Sequence, residues 1–305
     1  MKPYLFLTSL LILFGVAQAQ PCDESFRFFE HAAGTTCVPT NLERIVALTD
    51  EMAEIVVALG IEPVGISSTR LEFELGDKTT NAGHLASALD QATFVGGSEP
   101  SLEAITALAP DLIVASTDNE AVTAQLSEIA PTLVFGLEGA GDWREVMRTL
   151  AEATGRDEAA DAFFARFDTE LAALREEVAG ITAAHPTVNL IYPEYRGGSE
   201  HFVFDKSFGL SGNLDALGFD VVAPKGVEIT EGYAALSAEA FGSLDADSVL
   251  SVGVGERQDN ATTQLLDTAT DTLAYVDIGL GRPSQGPLSD LFYMESFADA
   301  IRALH

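Results

Sequence analysis

From Ile45 to Ser67 the chain reads IVALTDEMAEIVVALGIEPVGIS, and the fold class follows from that stretch. Ile45 to Leu48 is a four-residue apolar run, the length of a buried strand. Asp50 to Leu59 then carries Met52, Ile55, Val56 and Leu59 on one helical face, and Pro63 to Ser67 is a second short strand. Two strands separated by a helix pair in parallel, so this is a βαβ unit. Outward from it, Arg70 to Thr93 lacks periodicity and reads as a long loop. The strand Phe94-Val95, the helix Ser101 to Leu108 and the strand Leu112 to Ala115 follow, with further αβ units to Leu137.

From Asp142 the texture changes. Asp142 and Glu145 are expected to form a capping pair, and Trp143, Val146, Met147 and Leu150 define one helical face. A second helix follows Gly155. Its stripe of Phe163, Phe167, Leu171, Leu174, Val178 and Ile181 predicts roughly 24 residues and a rod near 36 Å. Beyond it, strand-like segments at Val188 to Tyr192, Val221-Val222, Val249 to Val252 and Ala274 to Ile278 alternate with helices. The prediction is therefore an α/β protein: two α/β lobes with central parallel sheets, joined by a long rigid α-helix, with a ligand cleft between the lobes. The expected segments are an export signal over residues 1–19, a first lobe over 20–140, a linking helical segment over 141–183 and a second lobe over 184–305.

An internal repeat supports the two-lobe reading. SLEAITALAPD, Ser101 to Asp111, aligns without gaps with SAEAFGSLDAD, Ser237 to Asp247, and five of eleven positions are identical. Each copy reads as a serine N-cap, a glutamate in the first helical turn, an apolar face, and an aspartate leading into a buried strand.

Composition narrows the function classes. With 47 acidic and 16 basic residues, a net charge of -31, the chain lacks the cations that nucleic-acid binding requires. Lys2, the apolar run Leu5 to Val16 and the small-x-small site Ala17-Gln18-Ala19 predict an exported protein, cleaved near Ala19 and periplasmic. The run is too short for a membrane-spanning helix, with an uncleaved anchor as the alternative. Pro21 precedes Cys22 where lipidation needs a small residue, so no lipid anchor is expected. Cys22 and Cys37 are the two cysteines. In an oxidising compartment they are expected to pair as a structural clasp; a redox or metal pair is the competing reading.

Several segments together carry a family resemblance: HAAGTTCVP, His31 to Pro39, running into RIVAL, Arg44 to Leu48; Glu51 to Gly65; Val95-Gly96-Gly97 with PSLE, Pro100 to Glu103; LAPDLIV, Leu108 to Val114; and Pro287-Leu288-Ser289 at a terminal helix. In that order and spacing the chain resembles the iron-siderophore branch of the helical-strut class of periplasmic binding proteins, a class that also includes cobalamin and haem binders. The resemblance implies the substrate-binding component of an ABC importer: not an enzyme, without cofactor, monomeric, capturing a ferric-siderophore chelate for a membrane permease. It also implies that Glu103 and Glu239 dock into arginines of the two permease subunits. Exposed carboxylates on rigid helix starts offer bidentate acceptors for Arg. The competing role for each is to complement its helix macrodipole.

The ligand is expected between the lobes, on loops at the carboxyl ends of the strands. Arg70, Tyr195, Arg196, Arg257 and Arg282 are the candidates at such exits, where guanidinium and phenol groups would hold an oxygen-rich chelate. Tyr192 reads as core. Tyr233 and Phe202 would add apolar walls, with core packing as the competing role. His31, His84, His185, His201 and His305 are scattered without HxH or HExxH spacing, so no metal site is predicted, and haem ligation by a Tyr or His stays open. GxSxG, HExxH, P-loop and CxxC motifs are missing. An exported hydrolase using scattered carboxylates is the rival class, and a structural exported protein the third.

Overall fold

The computed structural model describes residues 22–67, 91–137, 142–194, 200–253, 255–278 and 286–304. The export signal and Arg70, His84, Tyr195, Arg196, Arg282 and His305 lie outside the described residues. The first half holds a five-stranded parallel sheet built from β3 (Ile45–Leu48), β4 (Gly65–Ser67), β5 (Thr93–Phe94), β6 (Leu112–Ser116) and β7 (Thr132–Phe135), in the order β5-β4-β3-β6-β7. Its central strands are buried on both faces, as a doubly covered parallel sheet requires. Val46, Leu48, Ile113 and Ala115 pack on Ile105 of α2 (Leu102–Leu108) and Leu126 of α3 (Thr123–Ile129). Ile45, Ala47, Leu112 and Val114 pack on the other side, with Met52, Ile55 and Val56 of α1 (Asp50–Ala58).

Before this sheet comes a hairpin absent from the sequence-based expectation, β1 (Phe26–His31) paired with β2 (Gly34–Pro39). The Cys22–Cys37 disulfide fastens it. Ala32 N–H donates to Val134 O at 2.9 Å and the Thr36 hydroxyl to Thr132 O at 3.1 Å, so the hairpin lies against β7 and shields an edge strand from stray pairing.

Helix α4 (Trp143–Thr154) and helix α5 (Asp157–Ala184) connect the halves. With 28 residues, α5 exceeds the expected length and spans about 42 Å. Trp143 packs among Phe163, Phe164 and Phe167 of α5, with ring centroids 5.0–6.1 Å away. The Asp142 side chain makes no capping hydrogen bond to α4, contrary to expectation; the residue is itself in helical backbone conformation, which turns a cap's side chain away from the first free amides.

The second half is a six-stranded sheet in the order β11-β9-β8-β12-β13, with β10 beside the first half of β8. Its strands are β8 (Thr187–Tyr192), β9 (Phe202–Phe204), β10 (Asp220–Val221), β11 (Tyr233–Ala235), β12 (Ser248–Gly253) and β13 (Leu273–Asp277). β9 runs antiparallel to β8 and β11; three-residue strands such as FVF carry too little alternation to be read from sequence. Helices α6 (Ser211–Leu217), α7 (Ala261–Ala269) and α8 (Pro287–Leu304) complete this half. A single apolar core continues from α1 through α4 and α5 into β8, α6 and α8, so the halves share one interior.

The repeat has a structural meaning. Asp111 Oδ2 accepts the backbone amides of Glu43 and Arg44 at 2.9 Å, just before β3, and Asp247 Oδ2 accepts the Thr187 amide at 3.0 Å at the start of β8. Each aspartate thus sets the register of the central strand of its own sheet. The helices of the repeat differ. Ser101 Oγ caps α2 through Ala104 N, but Ser237 makes no capping bond, and Ala238–Ser243 is a short 3-10 helix. Gly242 disfavours an α-helical turn there, and the Ser243 hydroxyl bonds back to Ala240 O at 2.8 Å.

Candidate functional site

Loops following the carboxyl ends of both sheets are where an α/β protein of this kind places a ligand. In the first half these exits are pinned by side chains. Thr49 Oγ1 accepts Met52 N at 3.2 Å to start α1, the Ser67 hydroxyl donates to Gly97 O at 2.5 Å, and Ser116 and Asn119 form a reciprocal cap at the end of β6. Glu51, in the first turn of α1, has its carboxyl pushed up by burial and then by the negative charge of Asp50.

In the second half, Tyr192, at the end of β8, stands in register with Phe202 on β9. Tyr233 on β11 reaches Phe202 edge to face, with centroids 5.6 Å apart. These three rings form a row across three neighbouring strands; Tyr192 is nearly covered, while Tyr233 is 45% exposed. The adjoining loop is held internally. The Asn260 amide donates to Glu194 Oε2 at 2.7 Å, and the Glu194 amide to Nδ1 of His201 at 3.0 Å. His201 is therefore a buried brace of this loop.

Arg257 follows β12 as predicted, but its guanidinium is engaged. It bonds Asp267 Oδ1 at 2.8 Å and Thr263 O at 3.1 Å, which anchors the loop to α7, while its buried Nε has no hydrogen-bond partner. Tyr275 went unnoticed in the sequence, although strand alternation places it on the same side as Asp277. Its hydroxyl donates to Gly255 O at 2.9 Å, and Asp277 Oδ1 accepts the Gly255 amide at 2.9 Å. Burial, then the Asp277 charge, pushes the Tyr275 phenol up to about 12, so it stays a hydrogen-bond donor at neutral pH. Gly253 leaves room beneath it: a Cβ there would lie 2.6 Å from the Tyr275 hydroxyl and force the ring to shift.

Glu103 and Glu239 occupy matched places. Each lies in the first turn of the helix that leaves an edge strand (β5 or β11) and leads to the strand beside the sheet's central one (β6 or β12), and neither is buried. The structure thus puts the pair at equivalent positions of the two sheets. It brings Tyr233 and Phe202 together and leaves Arg257 in a separate loop on the same sheet.

A family model described as "Periplasmic binding protein" matches residues 45–272. The chain belongs to the periplasmic binding protein family. Among its curated relatives is the probable siderophore-binding lipoprotein YfiY of Bacillus subtilis, 31% identical over 226 residues, covering 71% of this chain and 66% of the relative. The ferric enterobactin-binding periplasmic protein FepB of Escherichia coli is 30% identical over 207 residues, covering 62% of this chain and 64% of the relative. The match therefore spans about two thirds of each relative's length. Among solved structures, Staphylococcus aureus SirA complexed with staphyloferrin B superposes with a TM-score of 0.68 at 22% identity, covering 90% of this chain and 98% of that one. Vibrio cholerae FhuD bound to Fe3+-Desferal gives 0.68 at 20% identity, covering 87% and 99%. These likenesses establish the fold, two α/β lobes and a linking helix.

This periplasmic binding protein also has a cavity of about 590 Å³ whose lining includes Glu30, His31, Phe135, Asp142, Arg144 and Glu145. Its walls come from the first half and α4, so it is not a groove between the halves. Both His31 ring nitrogens are occupied, by Thr36 Oγ1 at 2.8 Å and by the Ala33 amide at 3.3 Å, and burial holds the ring below its usual pKa.

Proposed function

We propose that this protein is the substrate-binding component of an ATP-driven importer, capturing a ferric-siderophore chelate between its halves and delivering it to a membrane permease. The observation that carries this reading is the 31% identity to a probable siderophore-binding relative across 71% of the chain. The edge-to-face pair of Phe202 and the half-exposed Tyr233 supplies an apolar wall for a chelate, and Arg257, partly exposed beside its Asp267 ion pair, is proposed to contribute a guanidinium. Arg70, Tyr195, Arg196 and Arg282, which follow β4, β8 and β13 in the sequence, are proposed to supply the remaining contacts.

Capture involves binding without turnover. The protein is proposed to act as an exported monomer, cleaved near Ala19 and periplasmic, with lobe boundaries near residues 140 and 184. No helix among the described residues is long and apolar enough to cross a membrane. Glu103 and Glu239 are proposed to dock on arginines of the two permease subunits, their equivalent positions giving one bound orientation. Because α5 and the shared core join the halves, closure on the ligand is small.

Native mass spectrometry of the protein purified from iron-starved source cells tests this reading. A co-purifying iron-loaded chelate is the expected result. A non-chelate ligand, or a turnover product, would overturn it.

A further inference from the structure

The two halves are joined by more than α5. Glu54, on α1 of the first half, is fully buried. Its Oε2 accepts the backbone amides of Leu288 at 3.1 Å and Ser289 at 2.8 Å, and its Oε1 accepts the Ser289 hydroxyl. Those amides open α8, which packs in the second half. Pro287, at the first helical position, has no N–H, so Leu288 and Ser289 present the first free donors of the helix, and the positive end of its dipole meets the carboxylate.

A second bond joins the same places. Trp143 Nε1–H, on α4, donates to Asp290 Oδ2 at 2.8 Å. Residues 288, 289 and 290 are thus each held by a side chain of α1 or α4. The approach is close as well: a Cβ added to Gly286 would come within 2.2 Å of Glu54 Oε2 and 2.9 Å of Glu54 Cβ. A buried carboxylate survives only where its partners replace its hydration, and here the three donors come from a segment more than two hundred residues away.

We propose that Glu54 pins the halves together: its carboxylate, docked on the first turn of α8, fixes the angle at which the two halves face each other. Alongside the long helix and the shared apolar core, which is non-directional, the pin adds a directional contact that fixes the rotation of one half against the other. Glu54 is a positioning residue, and its role holds whatever the ligand.

Spin labels at Glu128 on α3 and Thr268 on α7, both exposed, report the distance between the halves by double electron–electron resonance, with the native disulfide left oxidised. Glu54→Ala removes the pin, and Gly286→Ala wedges it while leaving every polar group present. Both are expected to broaden or shift the distance distribution. Glu54→Gln retains an oxygen for the two amides and an NH₂ to donate to the Ser289 hydroxyl, and is expected to restore the narrow distribution. Unchanged distributions in both Glu54→Ala and Gly286→Ala would overturn the proposal. Should either fail to fold, Ser289→Ala decides, since it removes one hydrogen bond and adds no atom: a smaller broadening supports the pin, and none overturns it.

Discussion

Replacing Asp290 by Asn should stabilise the protein, and do so increasingly as pH rises. Asp290 is buried beside Glu54, and its carboxyl is pushed up from 3.8 to about 7. Burial is the main cause, and the Glu54 charge adds to it; the Trp143 and Asn213 hydrogen bonds and the Arg144 charge pull the other way. The folded state therefore holds this proton more tightly than the unfolded chain. The cost of ionising Asp290 is absent below the unfolded value, grows as pH climbs from about 4 to about 7, and is constant above. A rise of that size sets a ceiling of about 4 kcal/mol on the cost above pH 7. Asn keeps an oxygen for Trp143 Nε1–H and removes the charge. The stability difference between Asp290→Asn and the unaltered protein should shrink by about 3 kcal/mol between roughly pH 8.5 and pH 5. Urea unfolding followed by circular dichroism measures it. The comparison must be variant against parent at each pH, because a net charge of -31 makes the whole molecule more stable as carboxylates are neutralised. A difference independent of pH, or a variant less stable than its parent at the alkaline end, would refute the reasoning.

Other outcomes follow from single contacts. Reversing the charge at both Glu103 and Glu239 (to Arg) should abolish stimulation of the permease ATPase and leave chelate affinity unchanged; lost affinity would refute the docking role. Replacing both Cys22 and Cys37 by Ser should lower stability by about 3 kcal/mol, from the 15-residue separation the disulfide closes, as read by denaturant midpoints. Gly253→Ala should cost about 1–3 kcal/mol by driving a methyl into the Tyr275 ring, and Tyr275→Phe in the same chain should recover part of it, since the hydroxyl is the nearest atom.

The parts of the fold written locally were legible. Ile45 to Ser67 announced a βαβ unit because four apolar residues, an amphipathic helix and a glycine-punctuated strand each fit only one period. The Ser101 and Ser237 repeat located matched places in the two halves, though one copy is an α-helix and the other a short 3-10 helix, and its aspartates proved to fix the central strands. Lost to sequence reading were contacts between distant segments. The hairpin is placed by hydrogen bonds to β7, by the bond of Arg27 to Glu152 O and by Phe29 and Val38 in the core, and β9 and β11 are three residues long each. The Glu54 pin joins residues 234 and 235 positions apart; its one local trace is a carboxylate inside the apolar run Ala53 to Val57. Of the site, Tyr233 and Phe202 were singled out as candidate walls without the strands β9 and β11 that carry them, and Arg257's engagement with Asp267 depended on where α7 would fall.

Capture of a ferric chelate is the central claim, and thermal unfolding with a panel of ferric hydroxamate, catecholate and citrate-type chelates tests it most directly. At least one chelate at about a hundredfold excess over its Kd should stabilise the protein by about 2.7 kcal/mol and raise Tm by about 5–10 °C, with the chelate recovered intact. No shift with any of these chelate classes at millimolar concentration, or consumption of the chelate, would contradict it.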